Sequence, residues 1–460
     1  MVKNTNQIEA GSFRDPAGFV FREDGILYRQ INIVYKSQYE TLMSSGLYKL
    51  LIDESLLIPH EEPANIELPE GIFKIITPEL VPFVSYPYEW SFWQYRDAAL
   101  ATLSIHRKAL DFGMILKDAS AYNVQFFRGQ PILIDTLSFD FYQEGAPWVA
   151  YGQFCRHFLA PLFLMSMVDD RLSTLMRSFI DGIPVDLAAR LIHGGGPSVL
   201  QHIKMHAKSV ATHAEAGKEG KKISSIKVSK FSHIALIDSL IRIVKKMKYK
   251  DLQTEWGDYH SGISYVDRAA EHKRELVGSY LRQVSPTMVW DFGANDGTFS
   301  RIACELGAYT IAFDIDSKVV GKNYENAKKH NEQNILPLLF DLTNPSPDIG
   351  FALCERQSIR NRAKPDAVIM LAVVHHLAIS NNVPLMDIAR WLSSLTDNLI
   401  IEFVPKADHQ VAVLLATRAD IFTHYSEQGF EDAFSKFFKV MQKNQIASSE
   451  RILYYMKKHC

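Results

Sequence analysis

The sequence predicts an α/β C-terminal half, a parallel sheet with helices on both faces, preceded by an α+β region of different character. Three observations carry this. From about residue 288 to 404, short apolar runs that end in acids alternate with helical runs, the pattern of strands crossing over through helices. The first of those runs leads directly into Asp291-Phe292-Gly293-Ala294-Asn295-Asp296-Gly297, a glycine-containing turn between a strand and a helix. The first 135 residues instead mix a hairpin signal, short strands and one long amphipathic helix. A chain of 460 residues is too long for a single core. Character changes along it mark segments 1–145, 146–210, 211–250 and 251–460.

Composition narrows the classes. A hydrophobic fraction of 47% and a charged fraction of 22% are those of an ordinary globular protein. The formal net charge of −2 gives no global field for nucleic acid or an anionic membrane, so no nucleic-acid partner is expected. Cys155, Cys304, Cys354 and Cys460 are scattered and form no C-x-x-C pair. That excludes a disulfide framework or zinc motif and suits a reducing compartment. Met1 to Asp15 lacks an apolar core, and the run Phe158–Val168 is too short to span a bilayer. A cytoplasmic protein without a transmembrane segment is the expectation; oligomeric state is not legible.

In chain order, Gly18–Arg22 and Ile26–Ile31 flank Asp24-Gly25 and read as a hairpin. Tyr35–Asp53 reads as a helix, Ile72–Ile76 and Leu80–Ser85 as strands, and Glu89–Phe112 as a long amphipathic helix. Trp148 to about Ile203 is apolar and helical, with methionine and aromatic stripes at core spacing. Residues 204–250 carry twelve lysines and arginines against three acids, read as a solvated linker followed by a basic helix, Ile234–Met247. Tyr259, His260 and Tyr265 precede the helix Asp267–Gln283 and are candidates to fold over a ligand.

The C-terminal elements then alternate: strand Met288–Trp290, helix Phe299–Leu306, strand Ala308–Phe313, helix Lys318–His330, strand Ile335–Phe340, strand Asp366–Ala372, helix Leu385–Leu395 and strand Asn398–Val404. Phe437–Met441 and Arg451–Met456 read as a closing strand pair. Ligands of such sheets bind at the carboxyl ends of the strands. Gly293 and Gly297 stand four apart, which is not the dinucleotide G-x-G-x-x-G and counts against a nicotinamide dehydrogenase. Asp291, just before the first glycine, suits a cationic ligand better than a pyrophosphate. That points to S-adenosylmethionine (SAM). Ala294 and Asn295 complete the turn; Asp314 is placed for the ribose hydroxyls, and Asp341, with the Leu342 N–H, for the adenine.

The pieces Asp291–Gly297, Phe313–Asp316, Phe340–Leu342 and Ala372–Leu377 resemble class I SAM-dependent methyltransferases. The resemblance implies a Rossmann-like seven-stranded sheet over about residues 255–460 and transfer of a methyl group to a small molecule or glycan. His375 and His376, past the fourth strand, lie where the acceptor would enter, and histidine titrates in the range that suits a base. His376 is expected to be the more exposed. Glu402, ending the fifth strand, is a second candidate, and Arg418 and Asp420 are expected in a surface ion pair or at an anionic acceptor.

Upstream, Asp118 and Asn123 stand in D-x-x-x-x-N spacing, and the apolar strand Pro131–Ile134 ends on Asp135. These runs resemble the catalytic core of the protein-kinase and aminoglycoside-phosphotransferase superfamily. The resemblance implies that Asp118 orients a hydroxyl while Asn123 and Asp135 hold magnesium on the phosphates of ATP. No glycine-rich loop precedes the hairpin, Arg29 stands where the strand lysine belongs, and Thr136-Leu137 follows Asp135. These departures favour a kinase-like scaffold retained for structure or acceptor binding. ATP and magnesium are expected only if phosphotransfer survives, which would make the chain a bifunctional kinase–methyltransferase. A protein that binds SAM without turnover is the alternative of a different class. The chain as a whole is similar to bacterial methyltransferases related to nodulation proteins.

Overall fold

The computed structural model describes residues 8–64, 68–192, 204, 227–249, 265–416 and 418–459. Residues 211–226 of the expected basic linker and helix 211–250, and the candidates Tyr259 and His260, lie outside them, as does the side chain of Tyr265. The chain divides into two compact units, Met1–Lys250 with Asp348–Arg356, and Asp251–Pro347 with Gln357–Cys460. The segments 1–145 and 146–210, separated on composition, thus fall in one unit, and 348–356 joins that unit rather than the C-terminal one.

In the first unit, β1 (Gly18–Glu23) and β2 (Ile26–Asn32) form the expected hairpin, with Gly18 opposite Ile31 and Glu23 opposite Ile26. Its turn residues Asp24 and Gly25 both have positive φ (50° and 81°), the backbone twist that a two-residue hairpin loop requires. With β3 (His60–Glu61) and β4 (Ile72–Pro78) they make a sheet of order β1-β2-β4-β3. The single helix expected over Tyr35–Asp53 is two, Lys36–Ser44 and Leu47–Asp53, because Gly46 between them sits at φ 92°. Leu80–Ser85, expected as a strand, is not one. Pro82 has no N–H to give a ladder, and Ser85 is paired by a side chain instead: its N–H donates to Gln125 Oε1 (2.8 Å) and its carbonyl accepts from Gln125 Nε2 (2.9 Å).

The long helix runs Phe92–Asp111, started by Ser91, whose N–H donates to the Gln94 side chain (3.0 Å). Two short antiparallel pairs follow, β5 (Met114–Leu116) with β8 (Phe139–Phe141) and β6 (Val124–Phe127) with β7 (Gln130–Leu133). The basic helix spans Lys230–Lys246 and buries His233, Ile237, Leu240 and Val244, packing against Phe92–Asp111; its lysines lie elsewhere on its surface.

In the second unit, β9 (Met288–Phe292), β10 (Tyr309–Asp314), β11 (Ile335–Leu339), β12 (Ala367–Met370), β13 (Asn398–Phe403), β14 (Phe438–Gln445) and β15 (Ile452–Lys458) form a seven-stranded sheet of order β11-β10-β9-β12-β13-β15-β14. The first five are parallel; β15 runs antiparallel to β13 and β14 antiparallel to β15. The order reverses between β9 and β12, opening a crevice at their carboxyl ends. Helix Tyr265–Val284 covers one face, burying Val277, Tyr280 and Leu281 in a core with Val289, Ile369 and Leu453.

Burial along Lys230–Lys246 sets up a contrast. Leu240→Ala removes a fully buried side chain and should lower stability by roughly 2–5 kcal/mol. Phe231→Ala, at a residue 81% exposed, should change it by no more than about 0.5 kcal/mol. Denaturant midpoints of the two variants check this; equal effects would mean that the helix does not pack as described.

Candidate functional site

The acids expected to bind a cofactor come together at the carboxyl end of the parallel strands. Asp291, next to last in the central strand, has 1% of its surface exposed, and its Oδ2 accepts the Ser300 hydroxyl at 2.6 Å. Burial pushes its carboxyl up to about 7, the neighbouring Asp314 adding to the effect and the Ser300 bond opposing it. Asp314 ends β10 and is raised by burial to about 6; its Oδ2 accepts from Asn295 N and its Oδ1 from Asp316 N, both at 2.9 Å. The Phe340 N–H donates to the Asp314 carbonyl (2.8 Å), tying the two strand ends, and Asp341 follows. One oxygen of Asp341 holds its own turn, accepting from the Thr343 N–H (2.8 Å) and hydroxyl (2.6 Å), while Leu342 is half-buried beside it.

The glycine turn works differently from its first reading. Gly293 and Ala294 both donate their N–H groups to the Phe313 carbonyl (2.9 Å), Asn295 donates to Asp314, and Gly297 to the Ala294 carbonyl (2.9 Å). Those donors clamp the turn to β10 rather than forming an anion cradle. Gly293 is required at φ 76°, and a Cβ there would lie 2.3 Å from Val373 Cγ2. Beside the turn, Asp316 Oδ2 and Asn323 Oδ1 are buried without partners. Raised carboxyls and unpartnered buried acceptors fit a ligand bringing positive charge and hydrogen-bond donors, as SAM does.

Past β12, Ala372 takes φ 53° and the chain enters a π-helical turn, His376–Ser380. The rings of His375 and His376 lie 4.1 Å apart, centroid to centroid. His376 is the more exposed, as the sequence suggested, and burial lowers it from the ordinary histidine value. His375 is 1% exposed, and neither ring nitrogen has a hydrogen-bond partner. Burial brings it down to about 3, with His376, Arg451 and Lys273 acting in the same direction and Asp408 against them.

Glu402 is fully buried and is not a free base. It pairs with Lys273 Nζ at 2.5 Å and lies 3.6 Å from Arg451 Nη1, while Arg451 grips Asp408 through Nε (2.7 Å) and Nη2 (3.1 Å). The Lys273 ammonium also lies 4.9 Å from the centroid of the Phe299 ring at the glycine turn. Lys273, Asp408 and Arg451 were not singled out from sequence. Asp408 carried a legible signal as the cap of helix His409–Leu415, accepting from Gln410 N, while Lys273 lay within an expected helix and Arg451 at the start of an expected strand. Asp420 does form an ion pair, but with Lys406 (2.7 Å), while Arg418 donates to the Ile379 carbonyl.

The first unit brings Arg29, Asp118, Asn123 and Asp135 to one region. Asp118 Oδ1 accepts from Ser120 N (2.9 Å) and Gln153 Nε2 (2.7 Å), and burial, then Asp135, raises its pKa. Asn123 Nδ2 reaches Ser138 Oγ at 3.4 Å. Asp135 is filled from within: the Arg29 guanidinium pairs with it, Leu137 N–H donates to Oδ1 (3.1 Å), and the Ser138 hydroxyl to Oδ2 (2.5 Å). Among the described residues no group of three or more His, Cys, Asp or Glu is arranged to hold a metal. These residues do not fit magnesium with ATP, since Arg29 already neutralises the carboxylate that would ligate the ion. Arg29, on β2, spends its charge on Asp135.

Two substitutions test these arrangements. Gly293→Ala should cost about 1–3 kcal/mol through the Val373 clash and the left-handed backbone. Asp135→Ala should cost about 3–5 kcal/mol by leaving Arg29 buried and unpaired. Urea midpoints read both; a loss under about 0.5 kcal/mol in either would show that the contact does not hold.

No family model matches the chain. Parts of solved structures are similar to it. One is magnesium protoporphyrin IX methyltransferase of Synechocystis PCC 6803 with bound SAH, at 18% identity and TM-score 0.31, over 49% of this chain and 95% of that one. Another is WbdD, at 15% identity and TM-score 0.30, over 45% of this chain and 43% of that one. Likenesses of that size carry no weight for function. Along nearly its whole length the chain is similar to nodulation protein NoeA of Rhizobium meliloti (strain 1021), at 34% identity over 454 residues, 97% of this chain and 95% of that protein. The chain belongs to the family of nodulation protein NoeA.

Proposed function

We propose that the second unit is a SAM-dependent methyltransferase domain acting on an oxygen or nitrogen of a small molecule or glycan. The observation that carries this is the convergence of Asp291, Asp314 and Asp341 at neighbouring strand ends around a glycine turn, two of them with carboxyls raised by burial. In this reading Asp291 faces the cationic end of the cofactor, Asp314 accepts from the ribose hydroxyls, and Asp341 with Leu342 N–H meets the adenine. Gly293, Ala294, Asn295 and Gly297 shape the wall between them. Bound there, SAM supplies a methyl group already activated on a sulfonium, so the chain's main task is to align the acceptor, a contribution on the order of 7–11 kcal/mol. His375 and His376 stand at the mouth of the next strand to receive the acceptor's proton. The first unit serves as a kinase-like scaffold for the acceptor. The filled Asp135 carboxylate argues against its acting as a second, phosphotransferring enzyme.

The raised carboxyls set the sign of a pH test. A carboxyl whose folded value lies above its unfolded one stabilises the fold at low pH, and that contribution is lost as pH rises through the folded value. Stability without cofactor should therefore fall between about pH 4 and 7, from the ordinary carboxyl value up to the raised values of Asp314 and then Asp291. Those charges are what a sulfonium and an ammonium require. The rise in melting temperature on adding SAM should grow over the same interval, and Asp291→Asn should flatten it. Labelled SAM with cell extract then reads transfer. Absence of a SAM-dependent shift at every pH would overturn the reading; binding with no label transferred to any acceptor would leave a SAM-binding protein without turnover.

A further inference from the structure

The second glycine of the turn makes room for a side chain of the protein itself. Gly297 takes φ 81°, and a Cβ at that position would lie 2.6 Å from Arg301 Nη1 and 2.5 Å from Asn323 Nδ2. Side chains do not approach one another that closely, so only a hydrogen fits there. Arg301 Nη1 donates to the Asp296 carbonyl at 2.8 Å, and the Arg301 N–H donates to the Gly297 carbonyl at 3.0 Å. The other groups of the two peptides that flank Gly297 are met within the turn. Gly297 N–H donates to the Ala294 carbonyl (2.9 Å), and Thr298 N–H to Asp296 Oδ1 (3.0 Å). All four backbone groups are thereby satisfied, two of them by Arg301.

The guanidinium is held in its turn. Its Nε and Nη2 donate to the two oxygens of Glu332 at 2.9 and 2.8 Å, with the two side chains 23% and 28% exposed. Exposed ion pairs contribute little, but a bidentate pair on a planar fork fixes direction as well as charge. All three guanidinium nitrogens are therefore in use, one on the turn and two on the brace. Glu332 stands just past helix Ser317–Lys329, and its N–H donates to the Ala327 carbonyl (2.9 Å). At the other end of that helix its cap, Asp316, donates its N–H to Asp314 Oδ1 (2.9 Å). The fork thus ties the glycine turn to the helix that begins beside Asp314.

We propose that Arg301 is a positioning residue for cofactor binding: braced by Glu332, it holds the Asp296 carbonyl and so fixes the Asp296–Gly297 peptide in the turn that receives SAM. The inference rests on the methyltransferase reading above. It gives the two glycines different reasons. Gly293 clears Val373, whereas Gly297 clears the residue that clamps it. The effect falls on the cofactor end of the site, because the residue before Arg301 is Ser300, whose hydroxyl holds Asp291. Lysine is no substitute, having one nitrogen where arginine uses three and no fixed plane in which to present it.

The test is SAM affinity by calorimetry on the full chain, with label transfer from SAM to cell extract measured beside it. Arg301→Gln should weaken SAM binding about tenfold, the size of one lost charge-assisted hydrogen bond. Arg301→Lys should fall between that variant and the wild type. Glu332→Gln, which leaves the bond to the Asp296 carbonyl in place, should lose only about twofold. The KM for SAM should rise in the same order, while the rate at saturating SAM stays within about twofold of the wild type. Affinities are read far below each variant's urea midpoint, where all are folded, so lost stability alone cannot move them. Should Arg301→Gln not fold, the ranking of Arg301→Lys above Glu332→Gln decides in the same way. SAM affinity within about twofold of the wild type in every folded Arg301 variant would overturn the proposal. So would a fall in maximal rate with the KM for SAM unmoved. Absence of SAM binding in the wild type would overturn the methyltransferase reading and this proposal with it, whereas unchanged binding in the variants overturns the proposal alone.

Discussion

The second unit depends on the burial of one carboxyl, that of Asp291, near the end of its central strand. Burial of an acid is costly unless it is bonded, neutralised or matched by a cation. The chain meets the first condition through Ser300 and the second through a carboxyl raised to about 7, while Lys273 lies near enough to ease it further. The turn after Asp291 is held to β10 by Gly293, Ala294 and Asn295.

The same logic, differently resolved, governs the acids of the first unit. Asp135 is nearly buried too, but its charge is met internally by Arg29, and its remaining bonding capacity by Leu137 N–H and the Ser138 hydroxyl. Asp118 is likewise absorbed by Ser120 and Gln153. The Arg29 guanidinium meets Asp135 through Nη2, while its Nε is buried without a hydrogen-bond partner. In the second unit Lys273 pairs with Glu402 at 2.5 Å and Arg451 with Asp408 at 2.7 Å. His375, in the same unit, is buried with no hydrogen-bond partner at either ring nitrogen.

Much of this was legible in order along the chain, and the reason is local. Strand and helix bounds in the second unit follow from apolar periodicity, and Asp291, Asp314 and Asp341 announce themselves by ending apolar runs. The misreadings are instructive. Tyr35–Asp53 looked continuous because its apolar pattern survives the break at Gly46. Leu80–Ser85 looked like a strand because its composition is that of one, while its backbone is satisfied by the Gln125 side chain, forty positions away. Glu402 looked like a reactive acid at a strand end, and only its distant partners Lys273 and Arg451 show it to be a buried brace.

By itself, then, the sequence determined the alternation of elements, the glycine turn and the acids at the strand ends, since each depends on residues within a few positions of one another. Tertiary structure alone decided which charges meet: Arg29 with Asp135, Lys273 with Glu402, Arg451 with Asp408, and no hydrogen-bond partner with His375. Electrostatic energy depends on distance and burial in space, and neither is encoded in the spacing of residues along the chain.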